Sequence, residues 1–211
     1  MANDLVFYTN PMSRGRIVRW MLEEVGCPYD TELLEYGTTM KAPAYLAINP
    51  MGKVPAIRHG RTVVTECAAI CAYLADAFPD ANLAPPAHSR GAYYRWLFFA
   101  SGPLEAAVVN KALGFQVPSE REVMASYGNF ASVMDTLEKT IPGNGFVAGD
   151  QFTAADVYVG AHIGWGMQFG TIEKRPQFEA YWTRLNSRAA HLRAVEIDDA
   201  LLAAATEQSA D

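Results

Sequence analysis

Beyond Pro79 the chain carries no segment that reads as a β-strand, and this asymmetry constrains the fold more than any other feature. Pro79, Pro85 and Pro86 interrupt a stretch of small and polar residues, which marks a domain boundary. Before the break, element types alternate. Leu5 to Thr9 is a short apolar run rich in strand formers. Ile17, Trp20, Met21, Leu22 and Val25 then recur at helical spacing, and Gly26 with Pro28 stops that helix. Tyr29 to Tyr36 reads as a second strand, and Pro43 to Ile48 as a short helix or irregular turn. Val54 to Arg58 and Arg61 to Val64 form a hairpin around His59-Gly60. Thr65 opens a helix that runs to about Ala77. The order is a β-α-β half joined to a β-β-α half, which closes as one small sheet with helices packed on it.

After the break the pattern is helical throughout. Arg90 to Leu113 is predicted as one helix, kinked at Gly102-Pro103. Ser119 to Thr140 is predicted as a second, with Ser119 and Glu122 spaced as a capping box. Thr153 to about Trp165 is a third. There Thr153 and Asp156 have the capping-box spacing, and Phe152 and Val157 are placed as a hydrophobic staple. This makes Asp156 a structural residue rather than a catalytic one. Pro176 to Ser187 and Ala190 to about Thr206 complete the set. The fold class is α+β, with a first domain over 1–79 and an all-helical domain over 88–211.

Composition narrows the function. The chain has 211 residues, half of them hydrophobic, which is enough apolar material for a core. The formal net charge is -6 and no dense Lys/Arg cluster occurs, which argues against nucleic acid and against an anionic membrane surface. No apolar run is long enough to span a bilayer, and the residues from Met1 to Asp4 do not open a secretion signal. Three cysteines, Cys27, Cys67 and Cys71, make no disulfide framework; they point to a reducing compartment, hence the cytoplasm. The four histidines are scattered without metal-site spacing, so no metal is expected.

Four segments resemble those of bacterial glutathione transferases. They are Tyr8 through Glu24, Asn49 through Ile57, Thr65 through Leu74, and Gly149 through Asp156. The resemblance, strongest to serine-type, theta-like members, implies a thioredoxin-like domain followed by a helical one. It implies glutathione as co-substrate, small electrophiles as acceptors, a homodimer, and possible peroxidase activity. A module of this fold that has lost catalysis, or a glutathione-dependent disulfide reductase, is the alternative.

Glutathione carries two carboxylates, one ammonium and one thiol. Its thiol has a pKa near ~8.5, and lowering that by about two units requires roughly 2.7 kcal/mol of preferential thiolate binding. A hydroxyl donor at a helix N-terminus can supply this. Ser13, three residues before Arg16, matches the family's Ser-x-x-Arg pattern and is the catalytic candidate; Tyr8, Thr9 and Asn10 compete, and a plain helix cap is the structural alternative for Ser13. The resemblance implies a cis Val54-Pro55 bond that turns the Val54 backbone toward the ligand, with Lys53 at the glycyl carboxylate. Glu66 would hold the γ-glutamyl ammonium, and the N–H of Cys67 the neighbouring carboxylate. Cys67 stands where the family usually has serine, so one weak thiol donor replaces a hydroxyl. Tyr93, Trp96 and Phe99, with Leu97 and Ala100, are the candidate acceptor-pocket residues.

Overall fold

The structure is a computed structural model and describes residues 3–208. Residues 1–2 and 209–211, the outermost ends of the two expected domains, lie outside the described residues. By contacts the chain divides into two compact units. One holds the chain up to Ala81 together with the segment from Arg188 onward; the other is Asn82–Ser187.

The first unit is built on four strands, β1 (Leu5–Thr9), β2 (Asp30–Leu33), β3 (Ala56–His59) and β4 (Thr62–Thr65), in the order β2-β1-β3-β4. β1 and β2 are parallel, so they need a crossover, and α1 (Gly15–Val25) provides it. β3 pairs antiparallel to both β1 and β4. Side chains alternate across β1. Phe7 lies against Tyr29 and the Arg19 guanidinium of α1. Tyr8 points to the other face, where it joins a small cluster with Met40, Tyr45 and Ala56. Tyr45 lies on the short helix α2 (Pro43–Leu46). α1 forms because its apolar residues share one side: Ile17, Val18, Trp20, Met21 and Leu22 are all buried. Each such side chain stabilises by about 1.5–3 kcal/mol. The helix ends at Gly26 in the left-handed conformation. α3 (Cys67–Ala77) packs beside α1.

The last helix, α9 (Ala189–Gln208), also packs on α1. Arg19 and Asp198, both buried, pair at 3.1 Å. Arg188 makes a bidentate pair with Glu24 at 2.6 and 2.7 Å. Arg16 meets Asp199 at 2.7 Å and Arg193 meets Glu23 at 3.2 Å. A buried guanidinium needs a carboxylate partner, and here α9 supplies it. The contact division therefore gathers the segment from Arg188 with the sheet, whereas the sequence reading kept it with the helical domain 88–211.

The second unit is helical: α4 (Gly91–Phe99), α5 (Glu105–Ala112), α6 (Phe130–Thr140), α7 (Ala154–Gln168) and α8 (Pro176–Asn186). Among the described residues its only sheet-like pairing is an isolated bridge, Phe146 with Gly149. A wide π-type turn over Ala100–Leu104 separates α4 from α5, at the Pro103 that cannot donate to the helix ladder. The single helix predicted over Ser119–Thr140 is corrected. Ser119–Met124 is only a 3₁₀ turn, and α6 starts at Phe130 behind an Asn129 cap whose side chain accepts from Ser132 N–H. Gly128, at φ 66°, takes the chain out of helical conformation between them. The Ser119 hydroxyl meets Glu120 instead of closing a box with Glu122.

At α7 the capping box is present. Thr153 Oγ1 accepts from Ala155 N–H, and Asp156 accepts from Thr153 N–H at 2.9 Å. Phe152 and Val157 are both buried. Asp156 also accepts from Val147 N–H at 2.9 Å, Thr153 Oγ1 at 3.0 Å and Tyr181 Oη at 2.7 Å. One carboxylate thus joins the preceding loop, α7 and α8.

Candidate functional site

Strand register gathers the sequence-predicted residues of the first unit at one end of the sheet. Tyr8 pairs with Ala56, and Ala56 pairs with Thr65. Thr9 follows that row in β1, Glu66 follows it after β4, and Pro55 precedes it before β3, so all three lie at the same end of the sheet. The segment after β1 leads into the N-terminus of α1, and Glu66 leads into the N-terminus of α3. The two helix starts touch: the Cys67 thiol, on the first residue of α3, points to the Arg14 carbonyl at 3.8 Å. Two sets of helix N–H groups therefore open at the same edge, which favours anionic groups there.

The β1–α1 turn separates the four hydroxyl and amide candidates. Ser13 Oγ donates to the Asn10 carbonyl at 2.6 Å and accepts from Gly15 N–H at 2.9 Å. It is half-buried and holds the turn, although Arg14 rather than Ser13 is the residue preceding α1. Asn10 is used at both ends: its amide donates to the Leu34 carbonyl at 2.8 Å and its oxygen accepts from Met12 N–H at 2.9 Å. Tyr8 projects from the sheet face opposite Phe7 and Thr9. Its ring lies 5.7 Å from that of Tyr45 and its hydroxyl 3.5 Å from Arg58 Nε. Thr9 is fully buried, and its hydroxyl has no hydrogen-bond partner among the described residues. A Cβ at Gly15 would lie 1.9 Å from Thr9 Oγ1 and 3.0 Å from Ser13 Oγ, so only glycine allows α1 to start this close to β1.

The Val54-Pro55 peptide is cis. The residues before it are clamped from α2 and its flanks. The Lys53 carbonyl accepts from Tyr45 Oη at 2.6 Å and from Asn49 Nδ2 at 2.8 Å. Lys41 Nζ donates to the carbonyls of Met51 and Gly52 at 3.1 and 2.9 Å. Burial pushes the Tyr45 phenol up to about 12, so it remains a neutral donor at physiological pH. Val54 precedes β3, so its peptide groups lie outside the ladder. The Lys53 side chain is exposed.

Glu66 has φ 66° and ψ 119°, a region that non-glycine residues rarely occupy. Such a conformation costs of order 1–3 kcal/mol and persists only where its surroundings impose it. The Glu66 side chain is exposed and does not cap α3. Cys67 is buried.

In the helical unit, Tyr93 and Trp96 are 1% and 2% exposed, and Phe99 is half-buried with its ring 5.2 Å from Trp96. The exposed aromatic residues of α4 are Tyr94 and Phe98. Sequence reasoning named Thr9 as a competitor of Ser13 but gave no role to Lys41, Tyr45 and Asn49. Of these, Asn49 alone carried a signal, since it opens the Asn49-Pro50-Met51-Gly52 turn. Among the described residues no cluster of His, Cys, Asp or Glu could hold a metal, and no helix is long and apolar enough to cross a membrane.

Comparison with known proteins fits this geometry. Residues 12–77 match the model of the glutathione S-transferase N-terminal domain, and residues 98–189 that of its C-terminal domain. The chain is 30% identical to glutathione S-transferase F10 of Arabidopsis thaliana over 71% of this chain and 76% of that one. Among solved structures it resembles a glutathione transferase of Methylococcus capsulatus, at 27% identity and TM-score 0.76, covering 92% and 98% of the two chains. It also resembles a Sulfitobacter homologue with bound glutathione, at 26% identity and TM-score 0.72, covering 93% and 98%. The chain belongs to the glutathione S-transferase family. Its enzyme class is that of a glutathione transferase, and its architecture is a thioredoxin-like sheet unit with a helical unit.

Proposed function

We propose that the sheet end described above binds glutathione and that the chain joins its sulfur to small electrophiles. The observation that carries this reading is Glu66: a strained backbone presents an exposed carboxylate beside the N-terminus of α3 and across the ladder from the cis Val54-Pro55 turn. Glu66 holds the γ-glutamyl ammonium. The first N–H groups of α3, from Cys67 on, hold the adjacent carboxylate. The Val54 peptide groups align the cysteinyl part, and Lys53 meets the glycyl carboxylate. Tyr45, Asn49 and Lys41 act by fixing that turn.

Ser13 is the thiolate donor in this reading. Its proton swings from the Asn10 carbonyl to the sulfur while the oxygen stays near the start of α1. A neutral hydrogen bond of about 0.5–1.5 kcal/mol is exchanged for a charge-assisted one of roughly twice that strength. The thiol proton leaves to solvent. The thiolate pair then forms a carbon–sulfur bond, and the electrophile's leaving group departs with its bonding electrons, or an added double bond takes up a proton. Asn10 is already committed at both ends, and Tyr8 belongs to the cluster on the far face, which supports Ser13 over both. Of the three aromatic candidates in α4, Phe99 is the one with surface to offer an acceptor. A cytoplasmic homodimer completes the reading.

Calorimetric titration with glutathione tests the binding half. Glu66→Ala should weaken binding by about tenfold or more, the worth of a charge-assisted bond. Cys67→Ala should cost less than about threefold, because alanine keeps the backbone N–H and the thiol points to Arg14. Equal losses, or a reversed order, would leave Glu66 as a first-turn charge without a ligand.

A further inference from the structure

Asn10 to Ser13 forms a tight turn ahead of α1, closed by Ser13 N–H donating to the Asn10 carbonyl at 3.0 Å. Pro11 and Met12 are its two central residues, and rotation of the peptide between them is what separates one turn type from another. That peptide is held from both sides. Its N–H, on Met12, donates to Asn10 Oδ1 at 2.9 Å, and its carbonyl, on Pro11, accepts from Arg16 Nε at 2.6 Å. The same turn bears the Ser13 hydroxyl.

Arg16 is held in its turn by α9. Its Nη2 donates to Asp199 at 2.7 Å, across 183 residues of chain. One rigid, planar guanidinium thus spans from the turn to the last helix, with a separate acceptor at each nitrogen. Asp199 is exposed, and an exposed ion pair by itself stabilises little. Docking of α9 does not depend on it. Asp198, the preceding residue, makes the buried pair with Arg19, about one turn along α1 from Arg16. With α9 anchored there, the Asp199 carboxylate serves to orient Arg16.

We propose that Asp199 is a positioning residue for the thiolate-binding turn: through Arg16 it fixes the Pro11–Met12 peptide and so the place of the Ser13 hydroxyl. The inference rests on the glutathione reading above. Charge and position predict opposite signs for it. Removing a carboxylate leaves the Arg16 charge uncompensated, which alone would favour a thiolate and lower its pKa. A raised thiolate pKa in an Asp199 variant therefore reports lost position.

The ultraviolet absorbance of bound glutathione thiolate against pH, with the full chain, tests this. Asp199→Ala should raise the midpoint by about half a pH unit or more, and leave glutathione affinity by calorimetry within about threefold. Asp199→Asn, which keeps an acceptor for Arg16, should recover at least about half of that rise. Arg193→Met breaks another α1–α9 pair, with Glu23 near the far end of α1, and should leave the midpoint in place. Hydrogen exchange in the ligand-free chain reads the turn itself: the segment from Asn10 to Arg16 should exchange about threefold faster or more in Asp199→Ala and not in Arg193→Met. An unchanged or lowered midpoint in Asp199→Ala, an equal rise in Arg193→Met, or unchanged exchange would overturn the inference. A native chain without any thiolate signal would instead sink the glutathione reading, and exchange would then decide the link from Asp199 to the turn. An unmoved midpoint in Ser13→Ala beside a raised one in Asp199→Ala would remove Ser13 as the donor and keep Asp199 as the residue that holds the turn.

Discussion

Replacing Asp156 with alanine removes the acceptor of four hydrogen bonds at once. Its carboxylate is fully buried and accepts from the N–H groups of Val147 and Thr153 and from the hydroxyls of Thr153 and Tyr181. A buried donor left without a partner costs about 1–3 kcal/mol, so a plain sum would exceed any realistic value. The space vacated by the carboxylate admits some relaxation. Removing one side of a buried charged network typically costs about 3–5 kcal/mol, and that is the range expected for Asp156→Ala. Tyr181→Phe removes one of the four donors and leaves three, so it should cost about 1–2 kcal/mol. Urea unfolding followed by tryptophan fluorescence reads both, since Trp96, Trp165 and Trp182 lie in the helical unit. Because the whole stability of a domain is about 5–15 kcal/mol, the alanine variant should unfold at far lower urea. An Asp156→Ala chain within about 1 kcal/mol of the native one, or no weaker than Tyr181→Phe, would refute the view of Asp156 as the hub of the helical unit.

Two further outcomes follow from the first unit. Gly15→Ala should destabilise by about 1–3 kcal/mol, because its Cβ would lie 1.9 Å from Thr9 Oγ1; Thr9→Ala should recover part of that loss in the double variant, whereas additive losses in urea unfolding would disprove the clash. Burial holds the Tyr45 and Tyr29 phenols near 12, above their ordinary value near ~10. The folded state therefore keeps these protons longer than the unfolded chain, so their contribution is whole below pH ~10 and is lost as pH rises toward about 12. Tyr45→Phe should remove roughly half of that alkaline slope in stability, and an unchanged slope would show that the hydroxyl is not held at Lys53.

The sheet end was legible because its parts are local. Strand runs, the Gly26 stop and the Lys53-Val54-Pro55 and Thr65-Glu66-Cys67 segments each declare themselves within a few residues, and register then aligns them. The helix over Ser119–Thr140 was misread because its capping spacing and apolar residues look continuous. Gly128 at positive φ and the Asn129 cap interrupt it, and both cost little in a sequence pattern. The position of α9 was not legible, since Arg19 and Asp198 are 179 residues apart and a buried arginine looks like any surface one. The same limit hid the clamp on Lys53. A tyrosine in α2 reads as core, and only the fold shows its hydroxyl on the Lys53 carbonyl. The burial of Tyr93 and Trp96 has a similar origin: aromatic spacing along a helix does not state which face is covered.

The assignment of thiolate stabilisation to Ser13 is tested most directly by the ultraviolet absorbance of bound glutathione thiolate as a function of pH, in the native chain, Ser13→Ala and Tyr8→Phe. The native complex should titrate about two units below the free thiol value of ~8.5. Ser13→Ala should move the midpoint back toward the free value with little change in affinity, and Tyr8→Phe should leave it in place. An unchanged midpoint in Ser13→Ala, with a raised one in Tyr8→Phe, would contradict the account and move the thiolate to the opposite face of β1.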